Sequence, residues 1–416
     1  MKYYKPKYST SDVAGFIKDS DNFLILGSGY EAERIIKGLK QCGKNVEGML
    51  TLSKNSGNTS IQGIPVYHVD NVSLNGRKIL IASLNNYDSE DWEIKAAKYL
   101  INEKHLSPFK DFVPLMGFFI NMEHFERYNG LLGKNFYDFM IKNEKIIRET
   151  KGILDDDHSL EMLDKVISYK LMAYEHDAID IEELPCPPSR LLQFSNNRVT
   201  LPVNIGSKEL MQKAEVHLKV GTYSYKSINS LNKKVIIDGG AFDGDTAAYF
   251  IQCSPNAEIH SFEPGEPLFR KLKELAAEAH NIVPVQSGLW DKKDTLRFNL
   301  LKRGDNIGMG SFIGEGESSI DVITLDEYVH EQGLKSVDFI KMDIEGSEME
   351  ALSGAHSTIT QFKPQMAICI YHKPDHLFSI PLWIKHNFKE YSVYIDHRHI
   401  HPAETVCYAG IGGAHD

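Results

Sequence analysis

Several protein classes are excluded by what this sequence lacks. Its five cysteines, Cys42, Cys186, Cys253, Cys369 and Cys407, lie far apart and include no C-x-x-C pair. That spacing excludes a disulfide framework and a cysteine-based zinc site, and it fits a reducing compartment. The first fifteen residues, MKYYKPKYSTSDVAG, hold no apolar core of the kind a secretory signal needs. No apolar run approaches the roughly 20 residues of a membrane helix, and the longest, at 112–120, is interrupted by Pro114 and Gly117. The expectation is a cytoplasmic protein with no membrane span. A surplus of positive charge is missing too: 46 Lys and Arg stand against 57 Asp and Glu, a net charge of −11. Nucleic acid would meet repulsion over most of such a surface, so it is not an expected partner.

What remains is an ordinary globular composition, 42% hydrophobic and 25% charged. Its 416 residues exceed one comfortable hydrophobic core and suggest two or three domains. Residues 1–118 alternate strand and helix patterns: Phe23, Leu24, Ile25 and Leu26 lead into Gly27-Ser-Gly29-Tyr-Glu-Ala32, and further strands are expected at 46–51 and 78–82. This predicts a Rossmann-like accessory domain on a parallel sheet. Residues 119–220 read as a helical connector, with helices at 119–150 and 159–176 and N-cap chemistry at Asp155, Asp156, Asp157 and Ser159. Residues 221–416 alternate again, with strands expected at 235–238, 258–262, 282–286, 339–342 and 365–371 and helices at 246–252 and 267–280. The fold class is α/β, and the C-terminal domain is expected to be a doubly wound sheet with its ligand at the strand C-termini.

The chemistry concentrates at those strand ends. Asp238 closes a buried strand, Gly239 and Gly240 turn the chain, and a helix opens near Asp245 or Thr246. Glycines let backbone approach a nucleotide closely. Asp238, Asp243 and Asp245 crowd this turn. Two unit charges 4 Å apart interact by roughly 4 kcal/mol at an effective dielectric of about 20. Such a turn disfavours a pyrophosphate and favours a ligand carrying positive charge, as S-adenosylmethionine does. Glu263 ends the next strand, about 20 residues on, where an acid can meet ribose hydroxyls. Asp343 ends another strand, with Glu345 and Glu348 just beyond. Glu348 is expected to begin a helix, where an acid favours the dipole. Asp343, Glu345 and His372 are the candidates for the base that takes a proton from an acceptor hydroxyl.

These stretches resemble one family. The 235–246 turn, Phe262-Glu-Pro264, Ser287-Gly288, Thr324-Leu-Asp-Glu-Tyr328, Ile340-Lys-Met-Asp-Ile-Glu-Gly346, Ala351-Leu-Ser-Gly-Ala355 and Glu404-Thr-Val-Cys-Tyr-Ala409 together resemble the FkbM family of S-adenosylmethionine-dependent methyltransferases, over about 225–410. The resemblance implies a class I methyltransferase fold and O-methylation of a sugar, polysaccharide precursor or natural product. The cofactor-binding set it implies is Asp238, Gly239, Gly240, Ala241, Asp243, Gly244, Thr246, Glu263, Pro264, Ser287, Gly288 and Asp343. Ser287 and Gly288 are expected on the adenine side.

Two features point elsewhere. His397-Arg-His-Ile-His401 puts three histidines on one strand face, a possible metal wall with Asp343 or Glu345; a polar strand is the simpler reading, and no metal is assigned. The N-terminal turn at 27–32 has the G-x-G-x-x-A form of a dinucleotide site, but Ser53 and Lys54 stand where an acid is expected. An NAD(P)-dependent sugar oxidoreductase and a non-catalytic methyltransferase-like binding module are the rival functions. A small-molecule or glycan acceptor is the expected partner, and a homodimer stays open.

Overall fold

Two sets of parallel strands, one toward each end of the chain, organise the protein. The computed structural model describes residues 16–27, 32, 35–36, 39–40, 43–52, 60–61, 63–82, 99–100, 102–107, 112–114, 133–171, 186, 193–194, 197, 199–299, 302–303, 306–307, 312–313, 318–399 and 404–411. By packing, Met1–Tyr137 with Ser168–Leu192 form one unit, and Asp138–Ile167 with Gln193–Asp416 form the other. The stretch 119–220 is thus divided between the two.

The first unit holds β1 (Asn22–Leu26), β2 (Asn45–Thr51), β3 (Ser60–Ile61), β4 (Ile64–His68), β5 (Lys78–Ile81) and β6 (Phe112–Pro114). They form one sheet in the order β3-β4-β2-β1-β5-β6, parallel apart from the short β3. Ile25, Met49 and Leu80 pack with Ile35, Ile36 and Leu39, while Leu24, Leu26, Leu50 and Ile81 pack with Val69, Leu74 and Leu100. Burial on both faces explains why these strands read as continuous apolar runs. Residues 28–31 of the N-terminal turn, and Ser53 and Lys54, lie outside the described residues.

Helices α1 (Gly133–Lys142) and α2 (Glu144–Lys151) replace the single helical pattern expected up to 150; they meet at Asn143, whose side chain donates to the Phe139 carbonyl at 2.8 Å. Residues 119–132 of that pattern are outside the described residues. Helix α3 (Asp157–Leu171) begins where Asp156 Oδ1 accepts the Ser159 N–H at 2.7 Å, the cap chemistry read in the sequence. Helix α4 (Lys208–Val220) is capped by the Ser207 hydroxyl at one end and by left-handed Gly221 at the other.

The chain then alternates: β7 (Val235–Gly239), α5 (Asp245–Cys253), β8 (Glu258–Phe262), α6 (Glu266–Glu278) and β9 (Ile282–Val285). Short strands follow, β10 (Gly288–Leu289), β11 (Asp294–Asn299), β12 (Lys302–Arg303), β13 (Asn306–Ile307), β14 (Phe312–Ile313) and β15 (Ser318–Ile323). Most of them form a separate small sheet in the order β10-β15-β11-β14. Next come α7 (Leu325–Gln332), β16 (Phe339–Met342), α8 (Glu348–Ser353), α9 (His356–Phe362), β17 (Gln365–Cys369), α10 (His376–Asn387), β18 (Ser392–His397) and β19 (Thr405–Gly410).

The large sheet runs β18-β19-β17-β16-β7-β8-β9. Its strands are parallel except β19, which is antiparallel to both neighbours. From β7 the chain winds outward through β8 and β9, then returns to β16 on the other side. The strand order therefore reverses between β7 and β16, and in doubly wound sheets ligands bind beyond the strand C-termini at such a reversal.

Candidate active site at the reversal of the sheet

The turn after β7 is built by close backbone approach. Gly240 has φ +76°, and a Cβ placed there would lie 1.9 Å from the Asp343 carbonyl oxygen. Only glycine fits, because the β7 and β16 turns touch backbone to backbone. The Gly240 and Ala241 N–H groups donate to the Phe262 carbonyl at 3.0 and 2.9 Å, which ties this turn to the tip of β8. Gly244, at φ +96°, precedes α5; a Cβ there would meet Leu275 Cδ2 at 2.7 Å.

Asp238 does not face the crevice. It is fully buried, and Lys341 Nζ on the adjacent strand lies 3.1 Å from its Oδ1. The Thr246 hydroxyl donates to its Oδ2 at 2.8 Å. Lys341 also donates to the carbonyls of Gly239 and Gly240, at 3.0 and 2.6 Å. Burial works against the Lys341 ammonium, but Asp238 and Asp343 outweigh it and raise its pKa above the usual lysine value. This corrects the charge reading of the turn: Asp238 is neutralised from below and adds little to the field a ligand meets. Thr246 is likewise turned inward, as the donor that holds Asp238.

Of the other two acids in the turn, Asp245 accepts from the Thr246 N–H at 2.8 Å, and His217 Nε2 on α4 lies 3.9 Å away. Asp243 Oδ2 accepts from Lys213 Nζ at 2.8 Å, whereas Asp243 Oδ1 is buried and no donor among the described residues reaches it. Burial and the neighbouring Asp245 raise the Asp243 pKa. A buried, unmatched acceptor in a glycine-rich turn fits a ligand that brings a donor.

Glu263, at the tip of β8, is buried, and its Oε1 accepts the Gly265 N–H at 2.7 Å. Burial raises its pKa to about 7 despite the backbone donors around it. Pro264 lies beside Gly288, where a Cβ would stand 3.9 Å from Pro264 Cγ and 3.1 Å from Val322 Cγ1. The Ser287 hydroxyl donates to the Asp321 carbonyl at 3.1 Å. Ser287 and Gly288 thus join the tip of β9 to β15.

Across the crevice, Asp343 follows β16 and its N–H donates to the Gly239 carbonyl at 3.1 Å. The Tyr371 hydroxyl donates to Asp343 Oδ1 at 2.9 Å. Glu345 stands next in a left-handed conformation, φ +55°. The three proposed proton-handling residues do come together: His372 Nε2 is 3.3 Å from Asp343 Oδ1 and 3.6 Å from Glu345 Oε2. Its other nitrogen, Nδ1, is 2.8 Å from Glu348 Oε1. Carboxylates beside both nitrogens favour the doubly protonated ring, in which each nitrogen is a donor. Burial alone would lower its pKa, but Glu348, Glu345 and Asp343 raise it to about 10. The surrounding carboxylates thus favour the protonated form of His372.

Three residues of this neighbourhood carry more than the sequence suggested. Glu348 begins α8 as expected, but it is fully buried and also sits 3.1 Å from His376 Nδ1. Lys341 had no assigned part. Glu404, just before β19, has φ +95°; burial and Asp343 push its carboxyl well above the usual range. Asp343, Glu348 and His372 offer donor atoms within 4.8 Å of one another, the spacing of a metal cluster. Because both imidazole nitrogens already face carboxylates, the arrangement is an ion-pair cluster and no metal is assigned to it. Among the histidines of 397–401, His397 is buried with Nδ1 2.9 Å from Thr405 Oγ1, and His401 lies outside the described residues.

A doubly wound sheet with a glycine turn and acids gathered at its reversal point defines an α/β protein with its ligand end at that reversal. The crystal structure of methyltransferase FkbM from Methylobacillus flagellatus shares this fold, at TM-score 0.59 and 16% identity, over 96% of this chain and 93% of that one. Residues 238–398 match the methyltransferase FkbM domain, and this chain is a methyltransferase that carries it. The 2-O-methyltransferase NoeI of Sinorhizobium fredii is 25% identical over 173 residues, which cover 37% of this chain and 70% of NoeI. The hexuronic acid methyltransferase AglP of Haloferax volcanii is 30% identical over 103 residues, 24% of this chain and 43% of AglP.

Proposed function

We propose that the protein moves a methyl group from S-adenosylmethionine to a hydroxyl of a sugar or glycan acceptor. The observation that carries this reading is that the Gly239–Gly240 turn, Glu263 and the Asp343–Glu345 pair all follow the C-terminal ends of adjacent strands β7, β8 and β16. The two curated relatives, by name a 2-O-methyltransferase and a hexuronic acid methyltransferase, support methyl transfer to oxygen and a sugar-type acceptor.

When bound, S-adenosylmethionine supplies a methyl group already activated on a sulfonium. The glycine turn would let its body approach the backbone, with Asp243 Oδ1 and Glu263 as acceptors for its donors. Because Glu263 is held near 7 by burial, a ribose hydroxyl that hydrogen-bonds its charged form would lower that value. Ser287 and Gly288 would line the base. On the opposite wall, Asp343 is anchored by Tyr371 and Glu345 is fixed by its turn, so both can orient an acceptor hydroxyl and receive its proton. Positioning supplies much of the acceleration in such a transfer. The first unit we read as a Rossmann-like accessory domain.

The test is methyl uptake from labelled S-adenosylmethionine across a panel of sugars and polysaccharide precursors, run beside NADH-dependent reduction of the corresponding keto sugars. The reading predicts labelled methyl ether on at least one acceptor and no reduction. Reduction without methyl uptake would overturn it.

A further inference from the structure

Glu348 is a carboxyl residue with no exposed surface, set among two backbone N–H groups and two histidines. Its Oε1 accepts the Ile344 N–H at 3.0 Å and the Gly346 N–H at 3.4 Å, so it clamps the turn that carries Glu345. That turn is left-handed at both Glu345 and Gly346, with φ +55° and +98°. The same oxygen is 2.8 Å from His372 Nδ1, and Oε2 is 3.1 Å from His376 Nδ1. His372 in turn reaches Asp343 and Glu345 with Nε2. One buried carboxylate therefore holds, through a single imidazole and a backbone turn, both carboxylates of the crevice wall.

We propose that Glu348 is a positioning residue for methyl transfer: it fixes His372 as a permanent cation whose Nε2–H sets the placement of Asp343 and Glu345, which take the acceptor's proton. This rests on the reading of the crevice as a methyl-transfer site. As the acceptor oxygen bonds to the methyl carbon, the carbon–sulfur bond breaks and its electron pair stays on sulfur. The hydroxyl proton passes to the Asp343–Glu345 pair and from there to solvent. His372 neither gains nor loses a proton. The titratable groups facing it are Glu348 on α8, Asp343 and Glu345 after β16, the adjacent Tyr371, and Glu404 before β19. The depressed pKa of Glu348, which its two histidines impose against burial, agrees with this arrangement.

The experiment is histidine-selective nitrogen NMR of the full chain across pH 6 to 9, combined with kinetics of Glu348→Gln. In the wild type, His372 should show two protonated ring nitrogens throughout and no titration. In Glu348→Gln, His372 should titrate within that range, and kcat should fall roughly 100-fold with S-adenosylhomocysteine affinity within about threefold of wild type. Wild-type His372 titrating near its ordinary value, or a folded Glu348→Gln with unchanged kcat and pH profile, would overturn the proposal. The wild-type spectrum decides even if the variant does not fold. Failure of the wild type to bind S-adenosylhomocysteine would instead count against the methyl-transfer reading, since the His372 charge state is read without it.

Discussion

At the residue scale, buried charge pairs determine how this site behaves. Lys341 and Asp238 face each other in register across β16 and β7, both without exposed surface. Removing one partner leaves an uncompensated buried charge, which costs about 3–5 kcal/mol, whereas replacing both by neutral groups costs far less. Lys341→Met should therefore lower urea-unfolding stability by about that amount, and Lys341→Met with Asp238→Asn should recover most of it. Equal losses in the single and double variants would contradict the pairing. The His372 cluster makes a pH prediction. Its folded pKa, about 10, lies above the ordinary histidine value, so its contribution is complete below about 6.5 and is lost as pH rises toward 10. Wild-type stability should fall more steeply over that window than the stability of His372→Asn. The sequence carries a signal for Lys341: a lone lysine in Phe339-Ile-Lys-Met342 and a lone aspartate in Val235-Ile-Ile-Asp238 each interrupt a buried strand, and adjacent strands would have to pair them. Glu348 gave no such signal, because a helix-starting glutamate is ordinarily solvated.

At the scale of elements, most of the framework was legible because buried parallel strands have a simple pattern. The expected strands at 235–238, 258–262, 282–286 and 339–342 match β7, β8, β9 and β16 within a residue, and the one at 365–371 runs two residues past β17. The small sheet of β10, β11, β14 and β15 was not anticipated; its strands are short, and Ser318, Ser319 and Asp321 of β15 are exposed, so apolar periodicity is weak there. Of the histidines at 397–401, His397 is buried with its Nδ1 beside Thr405 Oγ1, and His401 lies outside the described residues. The β7–β16 contact gives an element-scale prediction. Gly240→Ala would drive a methyl group against the Asp343 carbonyl at a left-handed backbone position. It should separate the two turns and weaken S-adenosylhomocysteine binding by at least tenfold, measured by calorimetry. Glu263→Gln, which keeps the shape, should weaken it less. A Gly240→Ala protein that binds as wild type would show that the turn is looser than this geometry implies.

At the scale of the whole molecule, two sheets each reverse direction, but only the C-terminal one gathers acids at its reversal among the described residues. No described helix is long and apolar enough to cross a membrane. If the C-terminal crevice is the nucleotide site, a saturating methyl-donor product should stabilise the protein and NADH should not. At 100 times its Kd a ligand adds about 2.7 kcal/mol, a shift that thermal unfolding resolves. The acceptor was not legible in the sequence because acceptor pockets are shaped by loops rather than by the sheet. The most direct measurement is a crystal structure of the protein with S-adenosylhomocysteine. The account predicts the ligand over Gly239–Ala241 between β7 and β16, with its ribose at Glu263 and its sulfur facing Asp343 and Glu345. Ligand density at residues 27–32, with the β7–β16 crevice closed by protein, would contradict it.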